Sequence, residues 1–421
     1  MPPPHQNMTP HHELTAFAGL DWACDHHDLV IVDRTGQHLE SLRFDHTREG
    51  WQQALQSLQT HRPAAIAVET THGVGVQQLL DAGLTVYPVV PKAAAHYRGR
   101  KAPSGVKDDQ LDAWSLADAL RVDGHTWHAL APADPLVSEL RLLCTDEIAL
   151  IEQRTALINQ LQAALREYYP AALEAFEDWT VRSAWQFLIT FPSPQLLTKA
   201  GKRKWRTFLH THRLWRPETR EQRLEIFARA DAFCGPPAVT AAKSLLAVSL
   251  AKMLLTVETQ LDHYRERIEK LFAGHPQSGL FGSLPGTGAK LKPRLLSMIL
   301  HRTGAGADAA VLQSLAGTAP VTFKSGQIRK CKLRRHCDKE LRSTVHLWAN
   351  LSRKKCLWAQ TYYQAHRDKG QSHACALRCL AQRWLKILAA MCRSGKPYDE
   401  AVHLKNMTRH GSWNLTLKTA A

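Results

Sequence analysis

The sequence has few of the features that mark membrane or secreted proteins. None of its 421 residues falls in an apolar run approaching the roughly 20 residues of a membrane-spanning helix. The first residues, MPPPHQNMTPHH, lack the basic and then apolar pattern of a signal peptide. Its nine cysteines are scattered without a CxxC pair, which argues against a disulfide framework and against a strong zinc site. These absences predict a cytoplasmic protein in a reducing compartment.

Charge is divided unevenly along the chain. Residues 1–130 contain 10 Lys and Arg against 15 Asp and Glu, so the remaining residues carry +21 and bring the total to +16. A basic surface of this size attracts polyanions, and each phosphate that it neutralises releases counterions. Because no basic amphipathic anchor helix stands out, the charge favours nucleic acid over membrane lipid as the partner.

The acidic part of the chain has the pattern of a mixed α/β domain. After a Pro- and His-rich tail, predicted to be disordered over residues 1–13, three short β-type segments precede alternating helices and strands. The predicted elements are strands 17–23, 28–32 and 38–44, helix 48–59, strand 64–69, helix 74–82, strand 85–90 and helix 109–121. This βββαβαβα order is typical of the ribonuclease-H-like fold, in which helices cover a mixed sheet. We place this domain at residues 14–130.

The basic part of the chain is predicted to be mostly helical. Between residues 250 and 271 the apolar residues step by four and three, a heptad seam. It fits either a core helix of a bundle or a coiled-coil arm that pairs protomers. The predicted divisions are a coiled-coil helical region at 131–275 with a basic insertion at 171–239, a C-terminal domain at 276–395 with loops at 304–307 and around 320–327, and a tail at 396–421.

Two stretches concentrate the basic residues. Lys199–Arg223 has nine Lys and Arg against two Glu, with Trp205 and Trp215 interleaved, a mixture that suits phosphate contact and base stacking but also a solvated loop face. Lys324–Lys355 has eleven Lys and Arg against two acidic residues. The candidate nucleic-acid contacts are Lys202, Arg203, Lys204, Lys324, Arg329, Lys330, Lys332, Arg334 and Arg335.

Four carboxylates fall where the predicted fold would bring them together. Asp21 lies on the first strand, and Glu69 ends the first buried strand after the hairpins. Asp109 and Asp112 are three residues apart on one face of a helix, and Asp108 beside Asp109 leaves the register of this pair open. Carboxylates this close repel one another unless cations lie between them, and one or two Mg²⁺ ions are the natural partners of oxygen ligands. Such sites drive displacement at phosphorus.

The motifs around these residues resemble a known family. GLDWA, AVET and KDDQLDA resemble the first domain of the DEDD transposases of the insertion-sequence one-ten family, which are bridge-RNA-guided recombinases. Further along the chain, LPGTGAKLKPRLLSMI, LQSLAGTAPVTFKSGQ and ELRSTVHLWA resemble that family's C-terminal transposase domain. The resemblance covers most of residues 15–395, with both domains in the correct order.

The resemblance implies an activity, a cofactor and partners. It implies a DNA transposase that cuts and exchanges the strands of an insertion element, associated with the nucleoid when bound to DNA. A RuvC-like domain would hold Mg²⁺ through Asp21, Glu69, Asp109 and Asp112, and Ser325 would be the nucleophile that forms a covalent phosphoserine. A structured guide RNA would pair with target and donor DNA, and a dimer would assemble into a tetramer on DNA.

Other residues of the C-terminal domain have predicted supporting roles. Lys324, Arg329 and Lys330 would hold the scissile phosphate beside Ser325 and screen the developing charge. The Pro-Gly-Thr-Gly turn, with Gly286 and Gly288, resembles a helix-hairpin-helix turn whose N–H groups bind a phosphate, although a Pro-Gly turn before any helix has the same sequence.

Two other functions stay open. A magnesium-dependent structure-specific nuclease of the junction-resolvase type would use the same carboxylates to activate water instead of Ser325. A non-catalytic nucleic-acid scaffold would need only the basic surface.

Overall fold

In the computed structural model the chain divides into two units, Met1–Pro132 and Ala133–Ala421. The structure describes residues 9–23, 25–70, 73–101, 108–130, 134–303, 308–326 and 328–409. The predicted loop at 304–307 and parts of both predicted tails, residues 1–8 and 410–421, lie outside these ranges.

A five-stranded mixed sheet forms the centre of the first unit, in the order β3-β2-β1-β4-β5. The central strand β1 pairs antiparallel with β2 and parallel with β4. The predicted α/β class and the order of its elements are confirmed, with one added helix, α3. The elements are β1 Ala16–Trp22, β2 His26–Asp33, β3 His38–Asp45, α1 Arg48–Thr60, β4 Ala64–Val68, α2 Val74–Asp81, β5 Thr85–Pro88, α3 Pro91–Lys101 and α4 Asp109–Asp123.

Helices cover both faces of this sheet. Every residue of β4 is buried, as expected for a strand with apolar layers on both sides. One layer includes Trp51 of α1 and Leu79 of α2, and the other includes Leu116 and Leu120 of α4.

Helix α4 lies unusually close to β1, and Gly19 makes this possible. A Cβ atom at Gly19 would lie 2.0 Å from the carbonyl oxygen of Ala113 and 2.5 Å from the backbone nitrogen of Ala117. Only a residue without a side chain therefore fits at this contact. The close approach brings the first turn of α4 to the end of β1.

The second unit is mostly helical and is built along two long antiparallel helices, α5 and α10. The elements are α5 Pro135–Tyr168, α6 Pro170–Ala175, α7 Arg182–Thr190, α8 Pro194–Thr211, α9 Arg220–Ala228, α10 Pro237–Gly274, α11 Ser278–Gly282, α12 Gly288–Thr303, α13 Ala309–Leu315, β6 Val321–Ser325, β7 Ile328–Lys332, α14 Lys339–Ser352, α15 Leu357–Asp368, α16 His373–Ser394 and α17 Glu400–Arg409. One aromatic-rich core lies in α6–α9 with the adjoining halves of α5 and α10, and another joins their other halves to α11–α16.

The heptad seam of α10 is used within its own chain. Its residues Leu250, Leu254, Leu261 and Ile268 are buried. Ion pairs to α5 run along the helices, Lys243 to Glu167 at 2.8 Å, Arg154 to Glu258 at 2.5 Å and Arg267 to Glu139 at 2.5 Å. At the other end Asp134 lies 4.0 Å from His275. Within one chain α10 packs as the core helix of a bundle, and the alternative that it also pairs protomers stays a prediction.

Helix α10 is also long and apolar enough to cross a membrane by composition. One 18-residue window has a mean hydropathy of 1.6, and 28% of that window is buried. The sequence analysis looked for an uninterrupted apolar run and did not find this helix, because Thr, Ser and Lys lie among its apolar residues. Leu250 and Leu254 of α10 are buried in the core of the second unit, whereas Leu245 and Met253 are 72% and 52% exposed.

Three segments differ from the sequence predictions. Within the tail predicted at 1–13, His11–Glu13 form a 3₁₀ turn, because the His11 ring bonds to the carbonyl of Leu120 at 2.9 Å. Within the tail predicted at 396–421, α17 forms because Met407 is buried. The loop predicted around 320–327 is part of the β6–β7 hairpin, whose turn begins at Gly326 with φ of +54°.

Replacing Gly19 with alanine should displace α4. We expect Gly19→Ala to lower the free energy of unfolding of the first unit by about 1–3 kcal/mol, because the added methyl overpacks the contact. Urea or thermal unfolding measures this change.

Gly99→Ala is the matched control. A Cβ at Gly99, on exposed α3, would meet no described atom within 4 Å, so alanine should raise stability by about 0.5–1 kcal/mol through helix propensity. Equal stability of the two variants would contradict the close approach of α4 to β1.

Candidate active site and nucleic-acid surface

The ends of two parallel strands bring the first two predicted carboxylates together. In the β1–β4 pairing Leu20 is opposite Val68, so Asp21 and Glu69 are the next residues at the same end of the sheet. Together with Asp109 and Asp112 they line one cavity of about 430 Å³. The structure thus brings together all four residues that the sequence predicts as metal ligands.

The first turn of α4 supplies the other two carboxylates. Asp108 is the N-cap residue, and its side chain accepts a bond from the backbone N–H of Gln110 at 3.4 Å. Capping is a common role for aspartate at this position. Asp109 and Asp112 line the cavity instead. Asp108 therefore caps the helix, whereas its neighbour Asp109 faces the cavity.

The cavity is electrostatically unfavourable for a further negative charge. Burial raises the pKa of Asp21, and the charges of Asp112, Asp109 and Asp28 raise it further. A carboxylate in this position is stabilised by any cation that enters. Carboxylate oxygens are the ligands that Mg²⁺ and other hard divalent ions prefer, so the donor set fits such an ion.

Basic residues already face the carboxylates. Arg98, on α3, donates from Nη1 to both oxygens of Asp112, at 2.8 and 2.7 Å. This bond is the main cause of the raised pKa of Arg98, to which the charges of Glu69 and Asp21 also contribute. Arg98 is therefore one counter-ion of the cluster, and Nη2 of Arg43 lies 3.6 Å from Oδ2 of Asp109 as well. Sequence reasoning missed Arg98 because α3 was not predicted and a single arginine carries no motif.

A second set of polar residues lies beside the cavity. Asp28, opposite Asp21 in the sheet, is 2% exposed and accepts bonds from Arg43 at 2.9–3.2 Å. Ligand atoms of His26, Asp28 and Asp109 lie within 4.8 Å of one another. Sequence reasoning missed His26 and Asp28 too, although the antiparallel pairing of β1 with β2 is the signal that could have found Asp28.

The predicted nucleophile Ser325 lies in the second unit, at the end of β6. The strands β6 and β7 pair with Ser325 opposite Ile328 and Lys324 opposite Arg329. Because side chains alternate between faces, Lys324 and Arg329 lie on the face opposite Ser325, whereas Lys330 and Lys332 share its face. Lys324 and Arg329 therefore start from the other face of the hairpin, and their contact with a phosphate at Ser325 stays a prediction.

The other predicted basic residues lie in different surroundings. Lys202, Arg203 and Lys204 are exposed on α8, and Arg335 is exposed after the hairpin. Arg334 is half-buried and donates to the carbonyl of Ala319 at 3.4 Å.

The two tryptophans of the basic insertion also have different roles. Trp205 is 4% exposed and donates to the carbonyl of Leu197 at 2.8 Å, so the prediction that it stacks on bases is wrong. Trp215 is half-buried, with the guanidinium groups of Arg206 and Arg220 5.9 and 5.7 Å from its ring centroid. Sequence spacing alone could not separate the core tryptophan from the surface one.

The two glycines of the Pro-Gly-Thr-Gly turn lie in different surroundings. A Cβ at Gly286, where φ is +78°, would lie 2.6 Å from the backbone nitrogen of Ser352, so packing against α14 requires glycine there. Gly288, with φ of +56°, has open space around it at the first residue of α12. Of the two predicted phosphate contacts, Gly288 is the exposed one.

Comparisons with known proteins match both parts of the chain. A family model described as a transposase, of the DEDD type of IS110, matches residues 18–170, and one described as transposase IS116/IS110/IS902 family matches residues 278–364. The mini-circle putative transposase for IS117 of Streptomyces coelicolor is 32% identical over 397 residues, which are 92% of this chain and 96% of the relative. The chain belongs to the IS110 transposase family.

Two further relatives extend the match. An insertion element IS110 protein of 43.6 kDa from Streptomyces coelicolor is 30% identical over 328 residues, 76% of this chain and 78% of the relative. An insertion element IS900 protein of 42 kDa from Mycobacterium paratuberculosis is 27% identical over 400 residues, 91% of this chain and 97% of the relative. Membership of this family makes the protein an enzyme of DNA transposition, with DNA as its partner.

Replacing Arg98 should expose the charge repulsion of the cluster. We expect Arg98→Gln to lower the free energy of unfolding in EDTA by about 1–2 kcal/mol, because Asp112 loses its charged partner. Added Mn²⁺ or Mg²⁺ should then stabilise this variant more than the native chain, because no guanidinium competes for Asp112. Calorimetric metal titration and thermal unfolding measure both effects.

Two other variants bracket this result. Arg100→Gln, on the same helix at an exposed position, should behave like the native chain. Asp21→Asn should be more stable in EDTA, because the folded-state pKa of Asp21 is raised and its ionised form therefore destabilises the fold at neutral pH. Identical metal affinities of the native chain and Arg98→Gln would refute competition at Asp112.

Proposed function

We propose that this transposase cuts and exchanges DNA strands with a divalent metal at Asp21, Glu69, Asp109 and Asp112 and with Ser325 as the nucleophile. The observation that carries the proposal is the cavity in which all four carboxylates meet. Bound Mg²⁺ would supply Lewis-acid stabilisation of the oxygens around the attacked phosphorus.

The residues of the chain divide the work between metal and nucleic acid. Burial and repulsion by the neighbouring carboxylates raise the pKa of Asp21, which supports a cation as the partner of the cluster. The basic residues, which are concentrated outside residues 1–130, neutralise the phosphates of the bound strands. Lys330 and Lys332 share the face of Ser325, which supports a role for them in holding the phosphate that it would attack.

The covalent step can be written from Ser325 alone. Its Oγ forms a bond to phosphorus, its proton passes to solvent, and the bond from phosphorus to one deoxyribose oxygen breaks. That oxygen leaves as a hydroxyl after taking a proton. A deoxyribose hydroxyl of the incoming strand then attacks the phosphoserine, so the strand is rejoined and Ser325 is released.

Sequence choice is proposed to come from an RNA. A structured RNA encoded by the element would pair with target and donor DNA, while the protein reads the shape and charge of the backbone. The +21 charge outside residues 1–130 supports a large polyanionic partner. A dimer that becomes a tetramer on DNA completes the proposal.

The serine mechanism predicts a trapped intermediate. On a suicide DNA substrate, nicked so that the cleaved strand diffuses away, the full-length protein should form a covalent adduct that survives denaturation. Ser325→Ala should form none, because no other group supplies the attacking oxygen. Gel shift after denaturation, followed by mass spectrometry of the linked peptide, measures the adduct.

Ser314→Ala tests whether serine loss elsewhere in the same domain matters, and it should keep the adduct. Cleavage that persists in Ser325→Ala without any adduct would instead support the junction-resolvase type of nuclease. DNA exchange that survives both Asp21→Asn and Asp112→Asn would reduce the protein to a scaffold.

The guided mechanism predicts a bound transcript. Protein purified from cells that carry the DNA flanking its reading frame should retain a structured RNA from that flank. The RNA should give a high ratio of nucleic-acid to protein absorbance, which ribonuclease treatment lowers. Sequencing of the retained RNA identifies it. Recovery of only random cellular RNA would count against guidance while leaving the serine mechanism intact.

A further inference from the structure

The β6–β7 hairpin presents two exposed apolar side chains on the face of Ser325. Phe323 is 52% exposed and Ile328 is 59% exposed. Phe323 is two residues before Ser325 on the same strand, and Ile328 is directly opposite Ser325. Because side chains two apart on a strand share a face, the predicted nucleophile has an aromatic ring on one side and an aliphatic group on the other.

Positive charge surrounds this apolar pair. Lys330 is opposite Phe323 in the register, and Nζ of Lys332 lies 4.7 Å from the centroid of the Phe323 ring. The segment Val321–Lys332 contains four Lys and Arg and no acidic residue. Within the part of the chain that the structure describes, no carboxylate forms an ion pair with these four cations.

This combination distinguishes between possible occupants of the face. A protein core would have to bury Lys330 and Lys332 without partners, which is costly. A single DNA strand offers both complements at once, since its phosphates pair with the lysines and its base faces stack on the ring. Base faces are open only where the duplex is unstacked, so single-stranded DNA is the occupant that fits.

We propose that Phe323 stacks on an unpaired base of the DNA strand whose phosphate Ser325 attacks, with Ile328 packing against the sugar or base on the other side. The proposal rests on the proposed role of Ser325 and adds a positioning function to its neighbours. Phe323 and Ser325 are about 7 Å apart along the strand, so a base attached near the attacked phosphate can reach the ring. Stacking then holds the phosphate in register with Oγ.

The test uses full-length protein and a single strand of thymidines that contains one 2-aminopurine, whose fluorescence falls when it stacks. The native chain should quench the probe, Phe323→Ala should not, and Phe323→Trp should restore quenching. The affinity of Phe323→Ala for the strand should be about tenfold lower, because stacking is sequence-tolerant and contributes strongly per base. Its salt dependence should equal that of the native chain, because no cation is lost.

Matched variants separate stacking from charge and from general surface loss. Phe233→Ala removes another exposed phenylalanine of the same unit, which is 79% exposed, and should quench like the native chain. Lys330→Gln should instead lower the slope of log affinity against log salt by about 0.7. Quenching by Phe323→Ala equal to that of the native chain overturns the proposal.

Two further outcomes are decisive. Ser325→Ala should still quench the probe. If the native chain quenches the probe but forms no covalent adduct, the serine mechanism is wrong and the stacking surface remains. A change of oligomeric state in Phe323→Ala without DNA, with quenching unaltered, would show that the face binds protein, and it would overturn the proposal.

Discussion

Repulsion among carboxylates is the constraint on which the first unit depends. The sheet places Asp21 and Glu69 at one end of two neighbouring strands, and α4 adds Asp109 and Asp112 to the same cavity. Gly19 lets α4 approach β1 closely, which adds to this concentration of charge, and Arg98 offsets part of it by binding Asp112. The repulsion among the carboxylates costs folding free energy, and a cation that binds in place of the guanidinium would recover it.

The two units divide the charge according to what each must bind. The acidic unit concentrates oxygen ligands, whereas the basic one carries exposed cations on α8 and on the β6–β7 hairpin. A cation site and a polyanion surface on one patch would cancel each other, because each would attract the other's groups. Separation along the chain lets each unit keep a charge of one sign, as the proposed division between metal binding and phosphate binding requires.

Period and spacing were enough to predict the first unit but not the residues that complete it. Buried strands with continuous apolar runs and the three-residue spacing of Asp109 and Asp112 are local signals, so they survive in the sequence. Arg98 escaped because its role comes from a pairing across the cavity. The β6–β7 hairpin was not predicted because lysines on both of its faces hide the alternation of Phe323 and Ser325. Trp205 looked like a base-stacking residue because burial is decided by tertiary packing.

Helix α5 begins and helix α10 ends at one place, where Asp134 lies near His275. Between these points they extend for about 51 Å, at 1.5 Å per residue, and α6–α9 pack at the far end. Within the second unit, the far halves of α5 and α10 therefore carry α6–α9 as a separate core. Turns added to both helices in step would move α6–α9 along the helix pair and leave the contacts of α11–α16 with the other halves of α5 and α10 unchanged.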